Sequence, residues 1–263
     1  MIYGYPGSTN RYETSYGVKL KTDISNPTLV SLRGMRLKYM LEEMRKDPAT
    51  KLQLAPAYAS IANYWKFYDG ESKQLLKYNV YDQKLALEEK FIKWAQGKPE
   101  YQDLFPDLAK AFEAWRPYAK NQVFMAEGLM GSPLIGFAGS IQQVENALVK
   151  SARSMDINKA LENIVSDKRI LASVLMLFYQ QVDKSQHPIG FYESLKGSYG
   201  DLNDADTYKK YVDNLFSNTI LLDSVKWKAF RSNPDGNTLQ ADPAYTTANL
   251  FLKNYQSKYL PMA

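Results

Sequence analysis

Hydrolysis by a serine nucleophile needs a hydroxyl, a base to take its proton and a third group to orient that base, and this sequence offers little to build such a set. His187 is the single histidine and stands before Pro188 at an expected helix end. No serine in a recognisable nucleophile setting accompanies it, so it reads as a structural or surface residue. Asp201, Asn203, Asp204 and Asp206 gather in one stretch, yet position 205 is alanine and the glycine of a calcium loop is absent. Helix capping accounts for these residues, and neither a metal nor a cofactor is expected. The adjacent pairs Glu42-Glu43 and Glu88-Glu89 are expected to point to different sides of their helices rather than at one substrate. Asn63, mid-helix beside Tyr64 and Trp65, reads on its own as a residue that hydrogen-bonds within a helix bundle.

The elements that must position these residues are helices. Asn26 as cap and Pro27 in the first turn open one, which runs through Leu29, Leu32, Arg33, Arg36, Leu37, Met40, Leu41 and Met44 to stop at Asp47-Pro48. A second is expected from Ala49 to Tyr68, with Leu52, Ala59, Ala62 and Trp65 inward, an irregularity at Pro56 and a stop at Gly70. Tyr81 to Ala95 is amphipathic, with Leu85, Leu87, Phe91, Trp94 and Ala95 set against Lys84, Glu88, Glu89 and Lys93. Pro106 opens a helix through Phe124, a loop covers Gly128 to Pro133, and Ile141 to Ala152 and Ile157 to Val182 read as further helices. After Phe191 to Leu195 and a loop to Asn203, Asp204 caps a helix from Ala205 to Asn218, and a last one spans Pro243 to Tyr255. Upstream, Val18 to Ile24 reads as extended, and Met1 to Tyr5 as a short strand ended by Pro6-Gly7-Ser8-Thr9-Asn10. A strand with no partner in its own chain suggests a fragment of a larger protein. The expected fold class is all-α, a multi-helix bundle-like domain over 25–263 behind a short extended segment over 1–24.

Bulk properties narrow the function classes. A chain of 263 residues with 45% hydrophobic and 23% charged side chains is ordinary for a globular protein. The 20 tyrosines fit wide helix contacts with polar edges, or a peptide-contacting surface. Lys and Arg exceed Asp and Glu, 33 to 28, but the cations are dispersed and form no basic stripe, so no nucleic-acid partner is expected. The absence of cysteine excludes disulfides, cysteine zinc sites and thiolate catalysis within the chain. The longest apolar run, Ile170 to Tyr179, is half the ~20 residues a membrane span needs. Met1-Ile2-Tyr3 lacks a signal-peptide pattern, so any export signal is expected upstream.

Two ordered motifs add a resemblance. The string Gly4-Tyr5-Pro6-Gly7-Ser8-Thr9-Asn10-Arg11-Tyr12, continuing through Thr14-Ser15-Tyr16-Gly17-Val18, is similar to the segment where bacterial serine dipeptidyl peptidases of the 7 and 11 type (serine-peptidase family 46) leave their catalytic barrel for a helical domain. Ile61-Ala62-Asn63-Tyr64-Trp65-Lys66, with Gly70, Asn79, Lys84, Glu88, Phe91 and Trp94, resembles a second family stretch, and Asp242-Pro243-Ala244 a third. The resemblance implies that residues 1–24 are the end of a barrel strand with its connection, and that 25–263 form a helical cap domain. It places the catalytic histidine and aspartate before this chain and the nucleophile after it. Ser132, the one serine followed directly by proline, shares a Gly-Ser-Pro step with the family's nucleophile motif but lacks the Gly-Asn-Ser before it, so the match is rejected and no catalytic residue is expected here. The resemblance implies a substrate-binding role for Asn63, whose amide oxygen would accept a hydrogen bond from the free amino terminus of a peptide. It also implies export to the periplasm or cell surface, a chymotrypsin-like catalytic domain in the same polypeptide as partner, and a homodimer. The alternative is a self-standing helical domain that binds a peptide or protein.

Overall fold

The computed structural model describes residues 12–143 and 157–259, and every regular element among them is helical. The expected strand over Met1–Tyr5 and most of the expected Ile141–Ala152 helix lie outside the described residues.

The segment Val18–Ile24 is not extended. Thr14 caps a short helix, α1 (Ser15–Leu20), by accepting the Gly17 amide at 3.2 Å, and a π-helical turn (Lys21–Ser25) carries it without a break into α2 (Asn26–Met44). Asn26 therefore caps nothing, and its side-chain NH2 instead donates to Glu71 at 2.8 Å. The cause of the helical start is a long-range anchor that local propensity does not contain. The Ser15 amide and hydroxyl both donate to Glu88, at 2.6 and 2.5 Å, and Glu88 is only 7% exposed. A buried carboxylate so engaged holds α1 against α4 (Val80–Ala95). Glu88→Ala is expected to cost about 2 kcal/mol, because it strands two buried donors. Denaturant unfolding checks this, together with faster hydrogen exchange along α1; unchanged exchange there would refute the anchor.

Helix α3 (Pro48–Lys77) starts at Asp47, whose carboxylate accepts the Thr50 amide, and continues past both Pro56 and Gly70. Pro56 is exposed, and nothing lies within 4 Å of where a Gly70 Cβ would sit, so neither residue is a break imposed by crowding. The stop comes at Asn79, which takes the left-handed conformation (φ 49°) open to asparagine and leads into α4. Helices α2 and α3 are antiparallel: Asn26 meets Glu71, the Val30 carbonyl meets Trp65, and Arg33 meets Tyr64. The inward face of α3 differs from the pattern expected of it. Leu54 is fully buried, whereas Leu52 is 80% exposed and Ala59 is also exposed. In α4, Leu87 and Trp94 face outward while Glu88 takes the buried position.

Helix α5 (Leu104–Val123) runs into a second π-helical turn (Phe124–Leu129), and a short turn leads to α6 (Pro133–Gln143). The stretch expected as one helix over Ile157–Val182 is broken, with Ile157–Ala160 and a 3₁₀ turn at Ile164–Ser166 preceding α7 (Asp167–Gln181). Then follow α8 (Phe191–Tyr199), α9 (Ala205–Asn218), α10 (Ser224–Ser232), a short turn of helix at Gly236–Gln240, and α11 (Pro243–Lys258). Asp204 caps α9 and Asp242 caps α11, the latter accepting the Ala244 and Tyr245 amides. The core lies where α7 packs on α9 and α6 on α11, around Phe124, Phe178 and Phe251.

Candidate functional site

Asn63 sits near the middle of α3 on its exposed side, and its amide makes no hydrogen bond to another described residue. The expectation of a bundle-internal hydrogen bond is therefore not met. Its helix neighbours Tyr64 and Phe67 are 50% and 53% exposed, which makes this a surface of one amide flanked by two aromatic rings. The adjacent Trp65 faces the other way and donates its indole N–H to the Val30 carbonyl at 3.1 Å. Gly34 permits that approach, since a Cβ there would lie 3.3 Å from the indole nitrogen.

Behind this surface runs a chain of charged groups. Arg33 of α2 lies against the rings of Tyr64 and Tyr68, at 5.4 and 5.5 Å from their centroids, and pairs with Glu127 of the second π-turn at 2.5 Å. Burial raises the Tyr68 phenol above its usual range, although Arg33 pulls the other way. One turn along α2, Arg36 donates to the backbone carbonyls of Glu127 at 3.3 Å and Gly131 at 2.9 Å. Burial lowers the pKa of its guanidinium, opposed by the charges of Glu127 and Asp167. Gly131 is required here, because a Cβ would fall 2.2 Å from the Glu127 carbonyl oxygen and 2.8 Å from Arg36 Nη1. The chain ends at Asp167, the first residue of α7, fully buried and accepting the Ser132 hydroxyl at 2.8 Å and the Leu134 amide at 3.1 Å. Burial pushes its carboxyl up to about 6 against the opposing effects of those two donors and Arg36.

The Peptidase S46 family model matches residues 1–259. The chain belongs to the peptidase S46 family. It is 28% identical over 269 residues to dipeptidyl-peptidase 7 of Capnocytophaga gingivalis, an alignment covering 97% of this chain and 37% of that protein. It is 27% identical over 281 residues to the Asp/Glu-specific dipeptidyl-peptidase of Flavobacterium psychrophilum, covering 99% of this chain and 38% of the relative. Among solved structures, Porphyromonas endodontalis DPP11 in complex with the dipeptide Arg-Glu superposes with a TM-score of 0.77 at 23% identity, covering 98% of this chain and 38% of that one. The alternate conformation of the same protein gives 0.59 at 20% identity, covering 97% and 35%. The chain thus spans less than two-fifths of the length of the curated relatives it matches, and the all-helical fold agrees with the matched part of the DPP11 structure.

In this S46 chain the remaining chemistry-bearing residues are occupied structurally. Ser132 is 1% exposed, donates a hydrogen bond from its hydroxyl to Asp167 and accepts one from the Ile135 amide at 3.2 Å, so it caps α6. His187 is buried among Phe178, Tyr179 and Tyr192 and donates from Nε2 to the Val182 carbonyl at 3.0 Å. Burial lowers its pKa, with the carbonyl and Asp183 acting in the opposite sense. Asp201 and Asp204 accept backbone amides two residues on, and no group of three or more metal-ligating side chains occurs among the described residues. Glu88 and Glu89 do diverge, one buried and one exposed. Glu42 and Glu43 do not: both lie against Arg169 of α7, at 2.7 and 3.6 Å, because the guanidinium reaches across the helix face between them. Sequence reasoning missed Arg33, Glu127 and Asp167 as one network. The available signal was a pair of arginines, 33 and 36, inside an otherwise apolar stripe of α2, where only paired charges are tolerated.

Proposed function

We propose that these residues form the helical, substrate-gating part of an exported serine dipeptidyl peptidase that removes dipeptides from peptide amino termini. Family membership and the names of the relatives support the activity. On this reading the catalytic triad and the chymotrypsin-like barrel belong to the rest of the polypeptide. Residues 1–24 lead out of that barrel, residues 25–263 cover its cleft, and the whole acts in the periplasm or at the cell surface.

The observation that carries the site is the free amide of Asn63, displayed on the exposed side of a long, well-supported helix. An amide oxygen accepts one of the three protons of a peptide's terminal ammonium, and a hydrogen bond to a charged group contributes about 1.5–3 kcal/mol. Asn63→Ala in the full-length enzyme is therefore expected to lower kcat/KM for unblocked dipeptide substrates by about tenfold or more. Dipeptide release from chromogenic peptides with free and blocked amino termini measures it, with this 263-residue chain alone as the inactive comparison. Unchanged kinetics in Asn63→Ala would remove the amine-binding role. Activity of the 263-residue chain by itself would refute the gating reading.

A further inference from the structure

We infer that Arg33 and Glu127 are positioning residues for the substrate's amino terminus, holding the Asn63 segment of α3 in place through a guanidinium that is ion-paired and lies over two tyrosine rings. The inference rests on the amine-binding reading of Asn63 and adds to it what fixes that amide in space.

The argument begins with the length of α3. A 30-residue helix joined to its neighbours by short turns at both ends can slide or roll on α2 unless something specific locks its middle. Asn26 ties α2 to Glu71, and the Val30 carbonyl takes the Trp65 indole N–H. Arg33 adds the contact that also reaches a third element. Its guanidinium carbon lies 5.4 and 5.5 Å from the ring centroids of Tyr64 and Tyr68, two rings one turn apart whose own centroids are 6.3 Å apart, and Tyr64 is the residue next to Asn63. The same guanidinium pairs with Glu127. Only 12% of the Arg33 side chain and 23% of that of Glu127 reach solvent, so the pair is shielded from the screening that weakens surface ion pairs.

Glu127 is held in its turn. Its own carbonyl accepts from Arg36, which also binds the Gly131 carbonyl. It stands in a π-helical turn, where an extra residue per turn swings the carboxylate out of the ordinary helix register. Three elements, α2, α3 and the π-turn, thus meet at a point one residue from the free amide. A guanidinium suits this junction because it is planar, stacks on aromatic faces and keeps its charge; a lysine ammonium supplies charge without the plane.

A pair that only stabilises the fold and a pair that positions the amide differ in what they change. The first alters how much enzyme is folded, and the second alters KM of the enzyme that is folded. Full-length Arg33→Met, Arg33→Lys and Glu127→Gln would be compared with wild type by active-site titration, KM and kcat for free-amine dipeptide substrates, each alone and combined with Asn63→Ala. Glu127→Gln keeps the side-chain volume, so it remains testable where Arg33→Met fails to fold. The expected result is a five- to tenfold rise in KM for Arg33→Met and Arg33→Lys and a smaller rise for Glu127→Gln. The expected kcat per titrated site stays within about twofold of wild type, and the rise disappears in the Asn63→Ala background because the positioned group is gone. KM unchanged in all three variants while Asn63→Ala raises it, or effects that multiply fully with Asn63→Ala, would overturn the inference and leave the amine site standing. An unaltered KM in Asn63→Ala itself would overturn the amine site and this inference with it.

Discussion

Replacing Asp167 by alanine is expected to destabilise the helical domain by about 3 kcal/mol at pH 5. The carboxyl is completely buried, and the Ser132 hydroxyl and Leu134 amide depend on it; stranding two buried donors costs about 1–3 kcal/mol each, partly recovered by relaxation. Asp167→Asn tests the electrostatics separately. Burial raises the folded-state pKa to about 6, above the value near 3.8 that an unfolded chain would show, so between those limits the folded protein holds a proton that the unfolded chain has released. Stability from this group is therefore full below about pH 4 and is lost as pH rises through 6. A gap of about two pH units, at about 1.4 kcal/mol each, makes the loss roughly 3 kcal/mol. Asparagine cannot ionise, so the stability of Asp167→Asn relative to wild type is expected to improve by that amount from pH 4 to pH 7.5. Urea unfolding at several pH values reads it, and a difference that stays flat with pH would show that Arg36 and the two donors hold the carboxylate ionised throughout.

The sequence made the helical class, the capping of α9 by Asp204 and the start of α11 at Pro243 legible, because each is written in neighbouring residues: a periodic apolar stripe, an acceptor side chain, a proline in the first turn. What it hid depends on partners distant in the chain. Val18–Ile24 looks extended until Glu88, 73 residues from Ser15, supplies the acceptor that fixes α1. Gly70 looks like a stop, but in a helix already held at Trp65, Tyr68 and Glu71 an extra glycine weakens the helix without ending it. Leu52 and Leu87 look buried by periodicity and are not, since which part of a long stripe is covered depends on where the next helix crosses. The same applies to the site. Asn63 stood out by resemblance, and its exposure is a matter of helix phase, whereas Arg33 and Glu127 lie 94 residues apart and meet only through a π-turn that no local pattern announces.

Phe178→Ala is expected to cost about 4 kcal/mol, within the 3–5 kcal/mol range of buried phenylalanine truncations. Its ring is 1% exposed and meets Phe124 and Phe251 edge to face, with centroids 5.7 and 5.3 Å away, while His187 lies against it at 5.5 Å. These partners come from the second π-turn, from α11 and from the segment after α7, so one side chain joins three elements. Edge-to-face pairs of this kind add about 0.5–1.5 kcal/mol beyond burial. Phe178→Leu keeps most of the volume but loses the ring edges, and it is expected to cost less than half as much. Denaturant midpoints of the two variants separate the contributions: a small alanine penalty would mean that α7 and α11 close on the void, and a leucine penalty equal to that of alanine would place the energy in ring geometry rather than in filled space. The consequence reaches the surface, because Phe124 opens the turn that carries Glu127. A void behind Phe124 loosens the support of Arg33 and, through Tyr64, of the helix segment that presents Asn63.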